Sequence, residues 1–174
     1  MPLNLRPITV DDLPTLLELN QRFVPMVGGL DVHRLRWLFD AASWTCTTPD
    51  LDGFMIVLPP GIGYGSLNYR WIDARWTDYA YVDRIAVDDT VQRRGLGRAM
   101  YERLFADCAA AGIGRVTCEV NVRPSNPRSL AFHERLGFTR SGVRSDGPEG
   151  VTVAILSRRV APATPRESGA SEAS

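Results

Sequence analysis

The segment from Val82 to Ala99 constrains the fold most, because it joins an apolar strand, a glycine-containing turn and the start of a long amphipathic helix. The first turn of a helix has N–H groups without intrahelical partners and a partial positive charge, and both features favour a bound anion. Gly95 and Gly97 have no Cβ, so a phosphate group can approach the backbone there. Three arginines add positive charge around the turn: Arg93, Arg94 and Arg98. The segment therefore predicts a site for a phosphate-containing ligand.

The turn reads Gln92-x-x-Gly95-x-Gly97. It resembles the signature of the GNAT superfamily of acyl-CoA N-acyltransferases, Gln/Arg-x-x-Gly-x-Gly/Ala. A second block matches the family order of strand, Asn, helix and Gly-Phe: Cys118-Glu119-Val120-Asn121, then Asn126-x-x-Ser129-x-x-Phe132-His133-x-x-x-Gly137-Phe138. Two separate signals in the right order support the resemblance, which covers Tyr81 to Phe138.

The resemblance implies an α/β (α+β) fold: a single domain with a central mixed, mostly antiparallel twisted sheet flanked by helices. Its fourth and fifth predicted strands, Tyr79–Val87 and Arg115–Asn121, would splay around the acyl-CoA. From the residues themselves we predict the order βααβββαβαββ within residues 1–159, followed by a disordered tail at 160–174. The other predicted strands are Leu3–Ile8, Gly53–Leu58, Tyr64–Ile72, Phe138–Arg144 and Val151–Arg159. The predicted helices include Asp31–Ala41, Gly95–Ala111 and Asn126–Leu136.

The resemblance also implies acetyl-CoA as the co-substrate and assigns residues to it. By this resemblance the turn would hold the coenzyme A pyrophosphate, through Gln92, Arg93, Arg94, Gly95, Leu96, Gly97 and Arg98. The preceding strand would offer its backbone to the pantetheine arm and the thioester carbonyl, at Ile85, Ala86 and Val87. Asn126 resembles the Asn that contacts the pantetheine arm in the family, and Ser129 and Phe132 would line the same channel. Helix capping by Asn126 and core packing of Phe132 are the alternatives.

Composition narrows the function and the location. The chain has 20 basic and 20 acidic residues, so a broad nucleic-acid or membrane-binding face is not expected. All 20 basic residues are arginine, which excludes a lysine nucleophile. Three cysteines without a CxxC pair and two histidines predict no metal site. The N-terminus has no apolar signal segment, so we predict a cytoplasmic protein, as a monomer or homodimer.

Two carboxylates compete for the role of the general base that takes a proton from the ammonium. Thr117, Glu119 and Asn121 share one face of a strand, and Glu119 points at the acceptor if that face looks into the cleft. Asp83 lies on the strand that delivers the thioester. The alternatives are a structural role for Glu119 and an ion pair of Asp83 with Arg84 or another arginine. One of the two carboxyl groups would have a raised pKa.

The family commonly has a tyrosine four residues before the helix-ending glycine, where it reaches the thioester sulfur. This sequence has His133 at that position. Histidine can donate a proton near pH 7, so the acid role can persist with a different pH dependence. Tyr81 and Tyr101 are substitutes for that role, and core packing is the alternative for all three.

The sequence does not identify the acceptor amine. Aromatic and polar residues precede the cofactor block and are candidates for an acceptor pocket: Tyr64, Asn68, Tyr69 and Tyr81. The function predicted is acetyl transfer to a primary amine of a small molecule or peptide, directly and through a ternary complex. A catalytically weak or inactive acyl-CoA-binding regulatory module is the alternative, and a binder of other phosphorylated ligands is a third reading.

Overall fold

The computed structural model describes residues 3–25, 27–92, 94–145 and 150–162. Within these ranges the chain forms five α-helices and six strands, and a 3₁₀ turn leads into the first helix. Most of the predicted disordered tail, residues 163–174, lies outside the described residues. In chain order the elements are α1 (Leu13–Gln21), α2 (Val32–Ala41), β1 (Trp44–Thr47), β2 (Gly53–Leu58), α3 (Leu67–Asp73), β3 (Ala80–Val87), α4 (Leu96–Ala111), β4 (Arg115–Arg123), α5 (Pro127–Arg135), β5 (Thr139–Arg144) and β6 (Thr152–Arg159).

The strands form one sheet in the order β1-β2-β3-β4-β6-β5. Neighbouring strands are antiparallel except β3 and β4, which run parallel. Those two strands pair only at Ala80 with Val116 and at Tyr81 with Thr117, and they separate beyond these residues. The predicted mixed sheet with this strand pair splayed is therefore confirmed.

Helices cover both faces of the sheet, and alternation along each strand decides which face a residue occupies. Phe54 of β2 packs with residues of α1 and α2, whereas the next residue, Met55, packs with residues of α4. On β4, Cys118 belongs to the α4 side of the core. Its neighbour Glu119 therefore faces the side of α1 and α2. This alternation places chemically different groups on opposite sides of the splayed strands.

Most helices begin and end where their capping residues predict. Asp31 accepts a hydrogen bond from the Arg34 N–H (2.8 Å) at the start of α2. Asn126 accepts one from the Ser129 N–H (3.2 Å) at the start of α5. At the end of α4, Gly112 takes the left-handed conformation, with φ of 74°, which glycine adopts without a steric penalty.

The predicted strand Tyr64–Ile72 is wrong, because most of this segment belongs to α3. The buried residues Tyr69 and Ile72 are three positions apart, which is the spacing of one helix face. Ser66 begins the helix by accepting a hydrogen bond from the Tyr69 N–H (3.3 Å). The alternation of apolar and polar residues suggested a strand, but the cap and the three-residue spacing decide the local structure.

The predicted first strand, Leu3–Ile8, is also wrong. Its backbone pairs only at an isolated bridge between Arg6 and Thr47, with N···O distances of 2.9 and 2.8 Å. Pro7 has no N–H and cannot extend the pairing into a ladder. The edge strand is instead β1, which the sequence analysis did not predict.

Two classes of feature are absent from the described ranges. No helix there is long and apolar enough to cross a bilayer. No group of three or more His, Cys, Asp or Glu side chains there is arranged to hold a metal ion. The cytoplasmic location stays a prediction.

Candidate active site

The turn between β3 and α4 leaves the N-terminus of the helix open. Gly95 precedes the helix with φ of 83°, and a Cβ built there would meet no heavy atom within 4 Å. The side-chain amide of Gln92 donates to the Val87 carbonyl (3.1 Å), which ties the turn to the end of β3. The open helix N-terminus fits a phosphate-bearing ligand, since its first N–H groups have no intrahelical acceptors.

A cavity of about 1130 Å³ extends from this turn along β3 and β4. Arg94 is exposed and does not line it, and Arg93 lies outside the described residues. The other predicted coenzyme A residues all line the cavity: Ile85, Ala86, Val87, Gln92, Gly95, Leu96, Gly97, Arg98, Asn126, Ser129 and Phe132. The structure thus gathers two distant sequence blocks around one space.

Glu119 lies in this cavity where β3 and β4 separate. The Tyr81 hydroxyl donates to both carboxylate oxygens, at 3.0 and 2.8 Å. Burial and the negative charge of Asp83 raise the pKa of Glu119 to about 7, against the opposing effects of Tyr81, Asn68 and Arg84. A carboxylate with such a pKa is matched to proton transfer near neutral pH.

Asp83 also lines the cavity, but both of its oxygens are engaged by neighbouring groups. The Tyr64 hydroxyl donates to Oδ1 (2.7 Å), and the Arg84 guanidinium donates to Oδ2 (3.1 Å). The Asp83 side chain is only 3% exposed, so its charge is compensated inside the protein and not by solvent. This is the ion pair that the sequence offered as the alternative to catalysis.

His133 lies on the other face of the sheet and is buried. Its Nδ1 is 2.8 Å from the Ser129 carbonyl, and its Nε2 is 2.8 Å from the Tyr101 hydroxyl. Burial lowers the pKa of His133, with a smaller opposing effect of the Ser129 backbone. Both His133 and Tyr101 line the cavity.

The predicted acceptor residues divide into two groups. Tyr64 and Asn68 line the cavity, and Asn68 accepts a hydrogen bond from Arg144 (2.5 Å). Tyr69 does not line it: its buried hydroxyl donates to the Pro59 carbonyl (2.8 Å) and holds the loop before α3. Tyr81 is buried behind Glu119 and reaches the site only through that carboxylate.

The sequence analysis missed the contribution of the loop between α1 and α2. Phe23, Pro25, Val27 and Gly28 of this loop line the cavity. Arg84 connects the loop to the site, since its guanidinium donates to the Gly28 carbonyl (2.5 Å) as well as to Asp83. Pro25, Gly28 and Gly29 are typical of a loop, but no local pattern indicates where a loop packs.

A splayed strand pair that ends at an open helix N-terminus, with a carboxylate in the gap, is the arrangement that the resemblance to acyl-CoA N-acyltransferases leads us to expect. The profile of the Acetyltransferase (GNAT) family matches residues 30–138, which is more than half of the chain. The chain belongs to this family, an enzyme family whose co-substrate is acetyl-CoA.

Individual acetyltransferases are similar to this chain in sequence or in structure. The [Ribosomal protein bS18]-alanine N-acetyltransferase of Salmonella typhimurium is 43% identical over 60 residues, which are 34% of this chain and 39% of that protein. The match thus spans well under half of that curated relative. The structure of the ribosomal-protein-S18-alanine N-acetyltransferase from Escherichia coli superposes with a TM-score of 0.71 at 21% identity, covering 94% of this chain and 97% of that one. A phosphinothricin acetyltransferase from Sinorhizobium meliloti in complex with AcCoA gives a TM-score of 0.68 at 18% identity, covering 92% and 90%.

Proposed function

We propose that this chain is an N-acetyltransferase that moves an acetyl group from acetyl-CoA to a primary amine of a small molecule or peptide. Transfer is direct, within a ternary complex. The observation that carries the proposal is the position of Glu119, a carboxylate with a near-neutral pKa at the gap between β3 and β4. The relative named for a ribosomal-protein alanine supports a peptide amine as one acceptor class.

Two features of the cavity support acetyl-CoA as its ligand. The N–H groups at the start of α4 face the space expected for the pyrophosphate. Pairing of β3 with β4 ends at Tyr81, so the β4-facing edge of residues 83–87 is left for the pantetheine arm. When bound, acetyl-CoA supplies the activated acyl group, and the chemistry needs no covalent enzyme nucleophile.

Glu119 is the general base in this proposal, and the charge of Asp83 raises the pKa of Glu119. Glu119 takes a proton from the acceptor ammonium, and the freed nitrogen attacks the thioester carbonyl. The new C–N bond forms, the C–S bond breaks, and the sulfur leaves with the electron pair as a thiolate. Asp83 is less suited to the first step, because Arg84 and Tyr64 already occupy its oxygens.

The Glu119→Gln variant tests the proposal. We expect kcat/KM for the amine to fall by about 10² to 10⁴, because the amide cannot take a proton. The Kd for acetyl-CoA should stay unchanged, since the phosphate end of the cavity is untouched. Thiol release measured with a panel of peptide and small amines gives the rates, and Glu18→Gln on the exposed face of α1 is the control.

Two results would contradict the proposal in different ways. Full activity of Glu119→Gln with loss of activity in Asp83→Asn would move the base to Asp83. Tight acetyl-CoA binding by the unmodified protein without thiol release on any amine would favour the regulatory module.

A further inference from the structure

Tyr101 and His133 form a buried pair on the face of the sheet opposite Glu119. The Ser129 carbonyl can only accept a hydrogen bond, so the proton of the His133 ring is on Nδ1. Because burial favours the neutral ring, Nε2 has no proton and accepts from the Tyr101 hydroxyl, 2.8 Å away. His133 thus offers no spare proton to a ligand, whereas Tyr101 carries one.

Contacts with β4 show where this pair lies along the gap between β3 and β4. The Tyr101 hydroxyl interacts with the Cys118 thiol, and the next residue of the strand is Glu119, which points to the opposite face. A group that passes between β3 and β4 at this level therefore has Glu119 on one side and Tyr101 on the other. Both residues line the same cavity.

We infer that the Tyr101 hydroxyl donates a hydrogen bond to the departing sulfur of acetyl-CoA, and that His133 Nε2 accepts this hydrogen bond until the thiolate forms. The inference rests on the proposed function. As the C–S bond breaks, the sulfur gains the bonding electron pair and a negative charge. The hydroxyl then rotates about its C–O bond, from His133 Nε2 to the thiolate.

Tyr101 acts as a hydrogen-bond donor and keeps its proton. Burial, together with the nearby Cys118 and Glu119, raises the pKa of Tyr101 well above its usual range, so the side chain stays a phenol at every working pH. The thiolate takes its proton from solvent when coenzyme A leaves. A preorganised donor of this kind stabilises charge that develops in the transition state.

The test measures the pKa of the thiol of bound coenzyme A, from the ultraviolet absorbance of the thiolate as the pH is raised. In the Tyr101→Phe variant that pKa should rise by about one pH unit, because the thiolate loses a hydrogen bond to a charged acceptor. In His133→Phe it should not rise, because the hydroxyl is then free to point at the sulfur. Tyr79→Phe is the matched control: its buried hydroxyl donates to Asp73 (2.7 Å) away from the cavity, and the thiol pKa should not change.

Two readouts keep the inference separate from the proposed function. An unchanged thiol pKa in Tyr101→Phe, or a rise in His133→Phe, would overturn the role of Tyr101 and leave acetyl transfer standing. Failure of the unmodified protein to bind either coenzyme A or its desulfo analogue would overturn both. In turnover, Tyr101→Phe should lower kcat about tenfold with an unchanged KM for acetyl-CoA.

Discussion

The two ends of the cavity are built from different parts of the chain. We call them the cofactor end and the acceptor end, after the proposed positions of acetyl-CoA and the amine. The cofactor end comes largely from one part of the chain, residues 85–92 and 95–98, which includes the end of β3 and the start of α4. The acceptor end gathers side chains from the α1–α2 loop, the start of α3, β3 and β4. Changes in backbone conformation should therefore damage the first end most, and single side-chain replacements the second.

The largest effect at the cofactor end is expected from Gly95→Val. At φ of 83° a branched side chain costs about 1–3 kcal/mol, and the turn relieves this strain by moving the first N–H groups of α4. The Kd for acetyl-CoA should rise about tenfold or more, measured by calorimetry. Gly112→Val is the control, because it places the same strain (φ of 74°) at the other end of α4. Equal losses of affinity in both variants would remove the turn from the phosphate site.

Apart from loss of the base Glu119, Arg84→Gln should produce the largest effect at the acceptor end. The change removes the ion pair with Asp83 and the hydrogen bond to the Gly28 carbonyl, so the α1–α2 loop loses its connection to β3. We expect the KM for the amine to rise about fivefold while the Kd for acetyl-CoA stays the same. Arg36→Gln removes an exposed pair with Asp40 and serves as the control. A loss confined to acetyl-CoA affinity would contradict this division of the cavity.

Asp83→Asn tests the acceptor end through the pH dependence of kcat/KM. Because the charge of Asp83 raises the pKa of Glu119, its removal should lower that pKa. The base works in its deprotonated form, so kcat/KM of the unmodified protein rises with pH through about 7. In Asp83→Asn the midpoint should move to lower pH by about one unit or less. An unchanged midpoint would mean that the Asp83 charge does not act on the base, and an upward shift would contradict the sign of its effect.

The smallest effect is expected from Arg98→Ala, at the cofactor end. Its side chain is about half exposed (51%), and its guanidinium pairs with Glu102 only at 3.4 Å. Water and salt screen such a charge, so the Kd for acetyl-CoA should rise about twofold, and less at high salt. A loss as large as that of Gly95→Val would show that the charge of Arg98 contributes as much to phosphate binding as the backbone of the turn does.

The same division explains how far the sequence predicts this molecule. The cofactor end was predictable because its signals are local: the glycines of the turn, the Asn126 cap and the apolar period of α4 lie close together in the chain. The alternation on β4 also predicted that Glu119 would share a face with Thr117, and the structure places Glu119 in the cavity.

The acceptor end was only partly predictable, because tertiary packing decides it. The hydrogen bond from Tyr81 to Glu119 and the link from Arg84 to Gly28 join residues 38 and 56 positions apart. No local pattern encodes such pairs. The strand predicted for Tyr64–Ile72 is wrong for a related reason. The alternation of apolar and polar residues is compatible with a strand, but the Ser66 cap favours the helix that forms.

The narrow pairing of β3 with β4 has a mechanical consequence. Backbone hydrogen bonding divides the sheet into two three-stranded halves, β1–β3 and β4–β6, which share only two residue pairs. A ligand bound in the gap would contact both halves and connect them, as a seventh strand between β3 and β4 would. Binding of acetyl-CoA should therefore make the two halves unfold together, and the unfolding temperature should rise.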